Sequence, residues 1–307
     1  MTLVLTINGP DTIWMLTDRR ISFAGRPPKD DGRKMMTLET KDGVAVLGYA
    51  GLGTTAGGTE PADWMSAVLR GRNLPLEQCL GELSSALQRQ FPKHLAALPV
   101  QFGAAHSILV PAFLNDEPRL YSIDLAFAPD RQSYSFRYTR HVMGPVPSTP
   151  PRIPRIGLAG SGITFLLSDK RWVRELLKIV RACDRQRVAP QVVADHLALI
   201  NNRVSLGTLD NSVGPRSIVV WRHRKGSTRR GGGGHQFYNG IERERDSAAL
   251  PTIGSGMDIQ ALIQATMPFV MAQMSSLEDG GGALEIDRDE INAVLAQLPH
   301  KPDETLT

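Results

Sequence analysis

The N-terminal run Thr2-Leu3-Val4-Leu5-Thr6-Ile7, the turn Asn8-Gly9-Pro10-Asp11 and the run Thr12-Ile13-Trp14-Met15-Leu16-Thr17-Asp18 decide how the chain begins to fold. Both runs are rich in β-branched and apolar residues, and Asn, Gly, Pro and Asp punctuate them, so each reads as a short strand. A Gly/Pro-rich loop, Gly25 to Gly32, leads to a third strand from Lys34 to Thr40. Lys41-Asp42-Gly43 is a hairpin-type turn, and Val44 to Tyr49 is the fourth strand. That strand is expected to enter a glycine-rich turn spanning Gly48 to Gly58.

Beyond this set the period changes. Pro61-Ala62-Asp63 opens a helical segment with Trp64, Val68 and Leu69 on one face, and Leu76, Leu80, Leu83, Leu87 and Phe91 mark a second helix. Strands return at Ser107 to Phe113, Arg119 to Phe127 and Tyr134 to Val142, followed by a Pro-rich connection from Pro145 to Pro154. A short strand, Ile156 to Ala159, passes through Gly160-Ser161-Gly162 into a helix from about Ile163 to Ala182, with another from Pro190 to about Val204. Ser217 to Trp221 reads as the closing strand. Strands and helices thus come in segregated sets, which predicts an α+β domain of two stacked sheets with helices outside, and not a doubly wound array.

The chain has 307 residues, of which 41% are hydrophobic, enough for a substantial core. Residues 1–224 hold 28 basic and 19 acidic side chains (+9), whereas 225–307 hold 7 and 12 (−5). The boundary predicts a body over 1–224, an Arg/Gly-rich flexible linker over 225–256, and an acidic extension over 257–307 with two short helices. The basic body carries no nucleic-acid motif and no basic-aromatic interleaving, so a solvated surface is expected in place of a nucleic-acid interface. Two cysteines, Cys79 and Cys183, are too few for a disulfide framework and sit in apolar helical patterns, as buried thiols do. No apolar run approaches the roughly 20 residues of a membrane span, and Met1 to Ile7 lacks the basic and apolar regions of a secretory signal. A cytoplasmic location is the expectation. The seven His residues show no metal-ligand spacing, and no metal or other cofactor is expected.

Thr2 is the most informative residue, although Met-Thr taken alone also begins chains with an ordinary N-terminus. Removal of Met1 would leave an N-terminal threonine, with a hydroxyl nucleophile and an amine of pKa about 7.7–8.0 in one residue. That amine can accept the hydroxyl proton near neutral pH. Asp18 lies 16 residues on, Lys34 lies 32 on, and Gly48 lies 46 on. A lysine ammonium beside the hydroxyl favours the alkoxide, and a carboxylate would aim the lysine. A glycine at a tight turn lets a backbone N–H face an oxyanion. Taken singly, Asp18 could end a strand, Lys34 could be a surface charge, Ser161 could cap a helix, and Asp210 could be a turn residue.

In type and spacing, Thr2, Asp18-Arg19-Arg20, Lys34 and Gly48 resemble the catalytic set of proteasome β-type subunits, which are N-terminal nucleophile (Ntn) hydrolases. The single-residue leader makes the chain most similar to the bacterial branch that includes HslV and Anbu. Gly160-Ser161-Gly162 resembles the family's Gly-Ser-Gly, and Asp210 with Gly214 resembles its later Asp-x-x-Ser-Gly-Gly element. The resemblance spans about residues 2–222. It implies a four-layer αββα sandwich and a threonine peptidase or amidase that needs no cofactor. In that scheme Thr2 attacks, Lys34 lowers its hydroxyl pKa, Asp18 orients Lys34, and the Gly48 N–H holds the oxyanion. Ser161 and Asp210 support the site, while Ile21, Met36 and Val46 (with Gly32) line a substrate pocket. It further implies a peptide substrate and homo-oligomeric rings or spirals, without specifying whether an ATPase docks. Val213-Gly214-Pro215 departs from Ser-Gly-Gly, with Ser212 as a substitute hydroxyl. That departure keeps open a catalytically inactive assembly subunit, and a small-molecule amidase of the same fold stays open because the sequence does not separate it from a peptidase.

Overall fold

The strands β1 (Val4–Asn8) and β2 (Thr12–Asp18) form an antiparallel hairpin buried at every position. A strand pair with both faces dry must be covered on both sides, and that requirement organises the fold. The computed structural model describes residues 2–23, 26–51, 53–55, 57–97, 106–127, 133–142, 155–208, 211–242, 250–278 and 288–297. In chain order, β3 (Ile21–Phe23) and β4 (Arg26–Lys29) form a separate two-stranded ribbon where a loop was expected. Next come β5 (Met35–Glu39), β6 (Gly43–Ala50), α1 (Pro61–Leu69), α2 (Leu76–Ala97), β7 (Ser107–Leu114), β8 (Glu117–Phe127), β9 (Tyr134–Arg140) and β10 (Ile156–Ala159). The rest of the chain gives α3 (Ile163–Ser168), α4 (Arg171–Asp184), α5 (Pro190–Gly207), β11 (Arg216–His223), β12 (Gly232–Tyr238), β13 (Ile241–Glu242), β14 (Thr252–Gly254), β15 (Met257–Asp258), α6 (Ile259–Glu278) and α7 (Arg288–Gln297). Among the described residues this is a mixed α+β chain. The Pro-rich connection at 145–154 lies outside them.

Two large sheets carry the core. One runs β10-β1-β2-β11-β12-β13 and the other β15-β14-β5-β6-β7-β8-β9. Side-chain alternation along β1 sends Leu3, Leu5 and Ile7 against Leu176, Val180 and Leu197 of α4 and α5, and Val4 the opposite way. Val4, Ile13 and Met15 meet Met35, Val44 and Val46 in a dry layer between the sheets. On the far side of the second sheet, Leu38, Leu47 and Tyr49 pack on Trp64, Leu80 and Leu83 of α1 and α2. The packing order is therefore helices, sheet, sheet, helices. Each fully buried Leu, Ile or Met contributes roughly 1.5–3 kcal/mol, which makes the three apolar layers the main source of stability.

The expected linker differs from what the structure contains. Gly232-Gly233-Gly234 opens β12, which pairs with β11 from Arg216↔Tyr238 to Arg222↔Gly232. The glycines make room here and are not a mark of flexibility. A Cβ on Gly233 would fall inside the Trp221 indole, and His235 stacks on that indole at 5.2 Å. Further on, β14 pairs in parallel with β5, Thr252 opposite Thr37. Composition alone reads Arg and Gly as a tether. Only the neighbouring strand reveals a sheet edge.

One buried titratable group gives a pH signature. His106 packs edge-on against Phe91 at 4.7 Å, with Nδ1 3.2 Å from the Tyr49 hydroxyl, and burial pushes its pKa down to about 4. The folded state refuses a proton that the unfolded chain accepts below its ordinary value of about 6.5. Stability is therefore complete above pH 6.5 and falls as pH drops towards 4, by about 3 kcal/mol for this group. Urea denaturation between pH 7 and 4 should show that decline, and His106→Gln should flatten it.

Candidate active site

Antiparallel pairing places the start of β1 beside the end of β2, so Thr2 and Asp18 share one end of the hairpin. The Leu3 N–H donates to Asp18 Oδ1 at 2.8 Å, and the Asp18 N–H donates to the Leu3 carbonyl at 3.1 Å. Lys34 comes from the other sheet, immediately before β5. Its Nζ donates to Thr2 Oγ1 at 2.6 Å and reaches Asp18 Oδ1 and Oδ2 at 3.1 and 3.3 Å. All three side chains are buried, with residue exposures of 2% for Thr2, 0% for Asp18 and 2% for Lys34. Burial pushes the Lys34 ammonium pKa below its ordinary value, against the opposing pull of Asp18.

Asp18 has further donors. The N–H groups of Arg20 and Gly214 reach Oδ2 at 3.0 and 3.3 Å. A carboxylate that accepts three backbone N–H groups and an ammonium is fixed in place. The Arg20 guanidinium grips Asp30 with two bonds of 2.6 and 2.7 Å and donates to the Asn211 carbonyl at 2.8 Å. It thereby ties together the two segments that flank Asp18. The role of Asp30 was missed from the sequence, where only its place four residues before Lys34 hinted at it.

The turn after β10 covers Thr2 from the other side. Gly160 has φ +96°, and a Cβ there would collide with the Thr2 carbonyl oxygen, so only glycine fits. The Gly162 N–H donates to that carbonyl at 3.3 Å. The Thr2 nitrogen, here a peptide N–H following Met1, donates to Ser161 Oγ at 3.3 Å, and Ser161 Oγ donates to Ser212 Oγ at 3.2 Å. In the departing Val213-Gly214-Pro215 segment, Gly214 contributes its backbone N–H to Asp18 and Val213 is core. Asp210 lies outside the described residues.

Gly48 is placed differently from the expectation. It lies within β6, opposite Met35 of β5 and Leu109 of β7. The Tyr49 N–H bonds the Lys34 carbonyl, so by strand alternation the Gly48 N–H faces β7 and belongs to the sheet ladder. Its missing side chain serves packing, because a Cβ would lie 2.5 Å from Met15 Sδ and 3.0 Å from Val4 Cγ1. The pocket candidates also separate. Met36 is fully buried on the helix-facing side of its sheet, Val46 is fully buried between the sheets, and Ile21 is buried at the start of β3. Met36 therefore faces away from the intersheet space that Thr2 enters. Strand alternation gives that direction to its neighbour Met35.

Among the described residues there is no group of three or more His, Cys, Asp or Glu side chains able to hold a metal. In the same residues no helix is long and apolar enough to cross a membrane. Cys79 and Cys183 are buried free thiols, and burial pushes Cys79 up to about 11, which removes it as a nucleophile.

No family model matches the chain, and no curated protein matches its sequence. Among solved structures it is similar to the Anbu complex of Pseudomonas aeruginosa, described as a helical assembly, at 12% identity and a TM-score of 0.43, over 92% of this chain and 98% of that one. It is also similar to a Gly-1 mutant of Anbu from Hyphomicrobium sp. strain MC1, at 12% identity and 0.45, over 91% and 100%. Anbu, the ancestral beta-subunit, from Yersinia bercovieri gives 12% and 0.44, over 97% of each chain. At this identity and overlap these likenesses assign the chain no activity and no partner.

Proposed function

We propose that the protein is a threonine hydrolase of the N-terminal nucleophile type, with the helix–sheet–sheet–helix sandwich of proteasome β-type subunits, cleaving peptide or other amide bonds. The observation that carries this reading is the Lys34 ammonium, buried, 2.6 Å from Thr2 Oγ1 and held by Asp18. A buried lysine aimed at a threonine hydroxyl has no packing rationale, and it is what nucleophile activation requires.

In this scheme Met1 is removed and the freed Thr2 amine takes the proton of its own hydroxyl. The Thr2 oxygen attacks the substrate carbonyl carbon, the amine proton passes to the departing amine, and an acyl ester remains on Thr2. Water, activated by the same amine, attacks that ester and releases the acid. Lys34 stabilises the developing alkoxide by charge, and because it is itself buried it repels a proton on the neighbouring amine. Ser161, already 3.3 Å from the Thr2 nitrogen and backed by Ser212, orients the amine. Because the Gly48 N–H sits in the ladder, this scheme draws no oxyanion bond from it.

A probe that acylates or alkylates N-terminal threonines tests the reading, with intact mass as the readout. The expected result is loss of Met1 and one stoichiometric adduct on Thr2. Retention of Met1 with no adduct supports the second reading, a non-catalytic assembly subunit, which the ladder-bound Gly48 N–H favours.

Either reading includes self-association. Not one side chain of α6 is buried, and Ile263, Met267, Val270, Met271 and Met274 stand about half exposed, between 46% and 53%. The helix carries no charge before Glu278, its last residue. Such a surface is covered in oligomers. Sedimentation velocity is expected to give a species larger than the monomer, and the double variant Val270→Glu, Met271→Glu should shift it to the monomer.

A further inference from the structure

At the end of the sandwich opposite Thr2 lies a recess of about 410 Å³ between the two sheets. Along β11, Ser217, which pairs with Asp18, is five steps from Arg222, which lines the recess, a span of roughly 17 Å. The recess is thus separate from the Thr2 site and independent of the function proposed for it.

Its lining is strongly basic. Arg222, Arg224, Lys225 and Arg230 converge on it, with Glu39 as the carboxylate in the wall. Arg224 is neutralised by Asp11 at 2.6 Å, and Lys225 approaches Glu39 at 3.5 Å. Arg222 and Arg230 have no ion pair among the described residues. The bonds of Arg222 go to neutral acceptors at long range, the Trp221 carbonyl and Thr37 Oγ1, each at 3.4 Å. Burial lowers the Arg222 pKa, with only Glu39 opposing it at a distance. A half-buried guanidinium without a counter-charge costs stability that a folded chain normally avoids. Beside it, Thr37 Oγ1 lies 2.7 Å from Thr252 Oγ1, which donates to the Leu250 carbonyl at 3.1 Å, so a polar chain runs along the same wall.

We propose that this recess is a binding site for a phosphoryl-bearing small anion of nucleotide size. The volume falls in the range of small-molecule sites, roughly 300–1,000 Å³. Guanidinium forks match phosphate oxygens two at a time, and two uncompensated forks suit a di- or triphosphate better than a single carboxylate. A recess between two sheets suits a compact ligand better than a nucleic-acid strand, which requires a continuous basic track.

Titration calorimetry with tripolyphosphate on the full chain at low salt tests the site. One saturable event per chain is expected. Arg222→Gln and Arg230→Gln should each weaken it about tenfold, and the double variant about a hundredfold. Arg230 is exposed, so its substitution keeps the test available if Arg222→Gln impairs folding. Arg171→Gln, which removes an 82% exposed guanidinium on α4, should leave the affinity unchanged. Three results would each overturn the assignment. These are no saturable binding to the wild type, equal weakening by Arg171→Gln, and tighter binding of a poly-glutamate peptide than of tripolyphosphate. The last would make the recess a dock for an acidic segment.

Discussion

Thr2→Ala is expected to abolish amide hydrolysis, at least about a thousandfold in kcat, while leaving the fold intact. The residue contributes one buried hydroxyl that Lys34 reaches, so truncation removes the nucleophile and little apolar volume. Thr2→Ser keeps hydroxyl and amine and should retain most of the activity. Lys34→Ala should lower kcat by about a hundredfold or more, with a smaller effect on KM, because an ammonium 2.6 Å from the oxygen acts on charge that develops in the transition state. Lys34→Arg should not rescue, since a planar fork cannot fit a point-charge position that is 2% exposed. Initial rates on a panel of fluorogenic peptides and simple amides check these outcomes. Unaltered hydrolysis in Thr2→Ala would remove the mechanism, whatever the fold.

What the sequence disclosed of this site follows from how local the determinants are. Thr2, Asp18 and Lys34 are legible because two strands and a turn of fixed length return the chain to its starting edge, and the next strand begins with the lysine. Gly48 is not legible in the same way. Whether a strand stops at residue 48 or continues to Ala50 depends on pairing with Ser107 to Leu114, more than fifty residues away. The choice between Met35 and Met36 turns on one step of alternation, which flips a side chain from the intersheet layer to the helix layer. The segment 232–238 failed for a different reason. Its glycines are required by the bulk of Trp221 on the adjacent strand, a demand visible only once the strands are paired. The order of two sheets with helices outside was legible because strands and helices come along the chain in segregated sets.

Asp18→Asn is expected to destabilise the fold by about 3–5 kcal/mol at pH 7, with a deficit that shrinks as pH rises. The carboxylate is fully buried and receives Lys34 plus three backbone N–H groups, so the amide of Asn turns donors toward donors and leaves the ammonium uncompensated. Burial already lowers the Lys34 pKa, and loss of the charge that raises it lowers it further. The folded variant then sheds the Lys34 proton at a pH where the unfolded chain still holds it. Wherever the unfolded state binds more protons, stability rises with pH. The penalty is therefore full below the folded pKa of Lys34 and is relieved as pH climbs through that value towards the unfolded value of about 10.4. The wild type gains in the same direction but from a higher starting pH, because Asp18 keeps its lysine charged for longer. Lys34→Met has no such proton and should lack this slope, and the double variant Asp18→Asn, Lys34→Met should be more stable than Asp18→Asn alone. Urea denaturation of the four proteins between pH 6 and 10 separates these cases. A deficit in Asp18→Asn that stays constant across that range would mean that Lys34 is not held charged by Asp18, and the electrostatic basis of the site would fail with it.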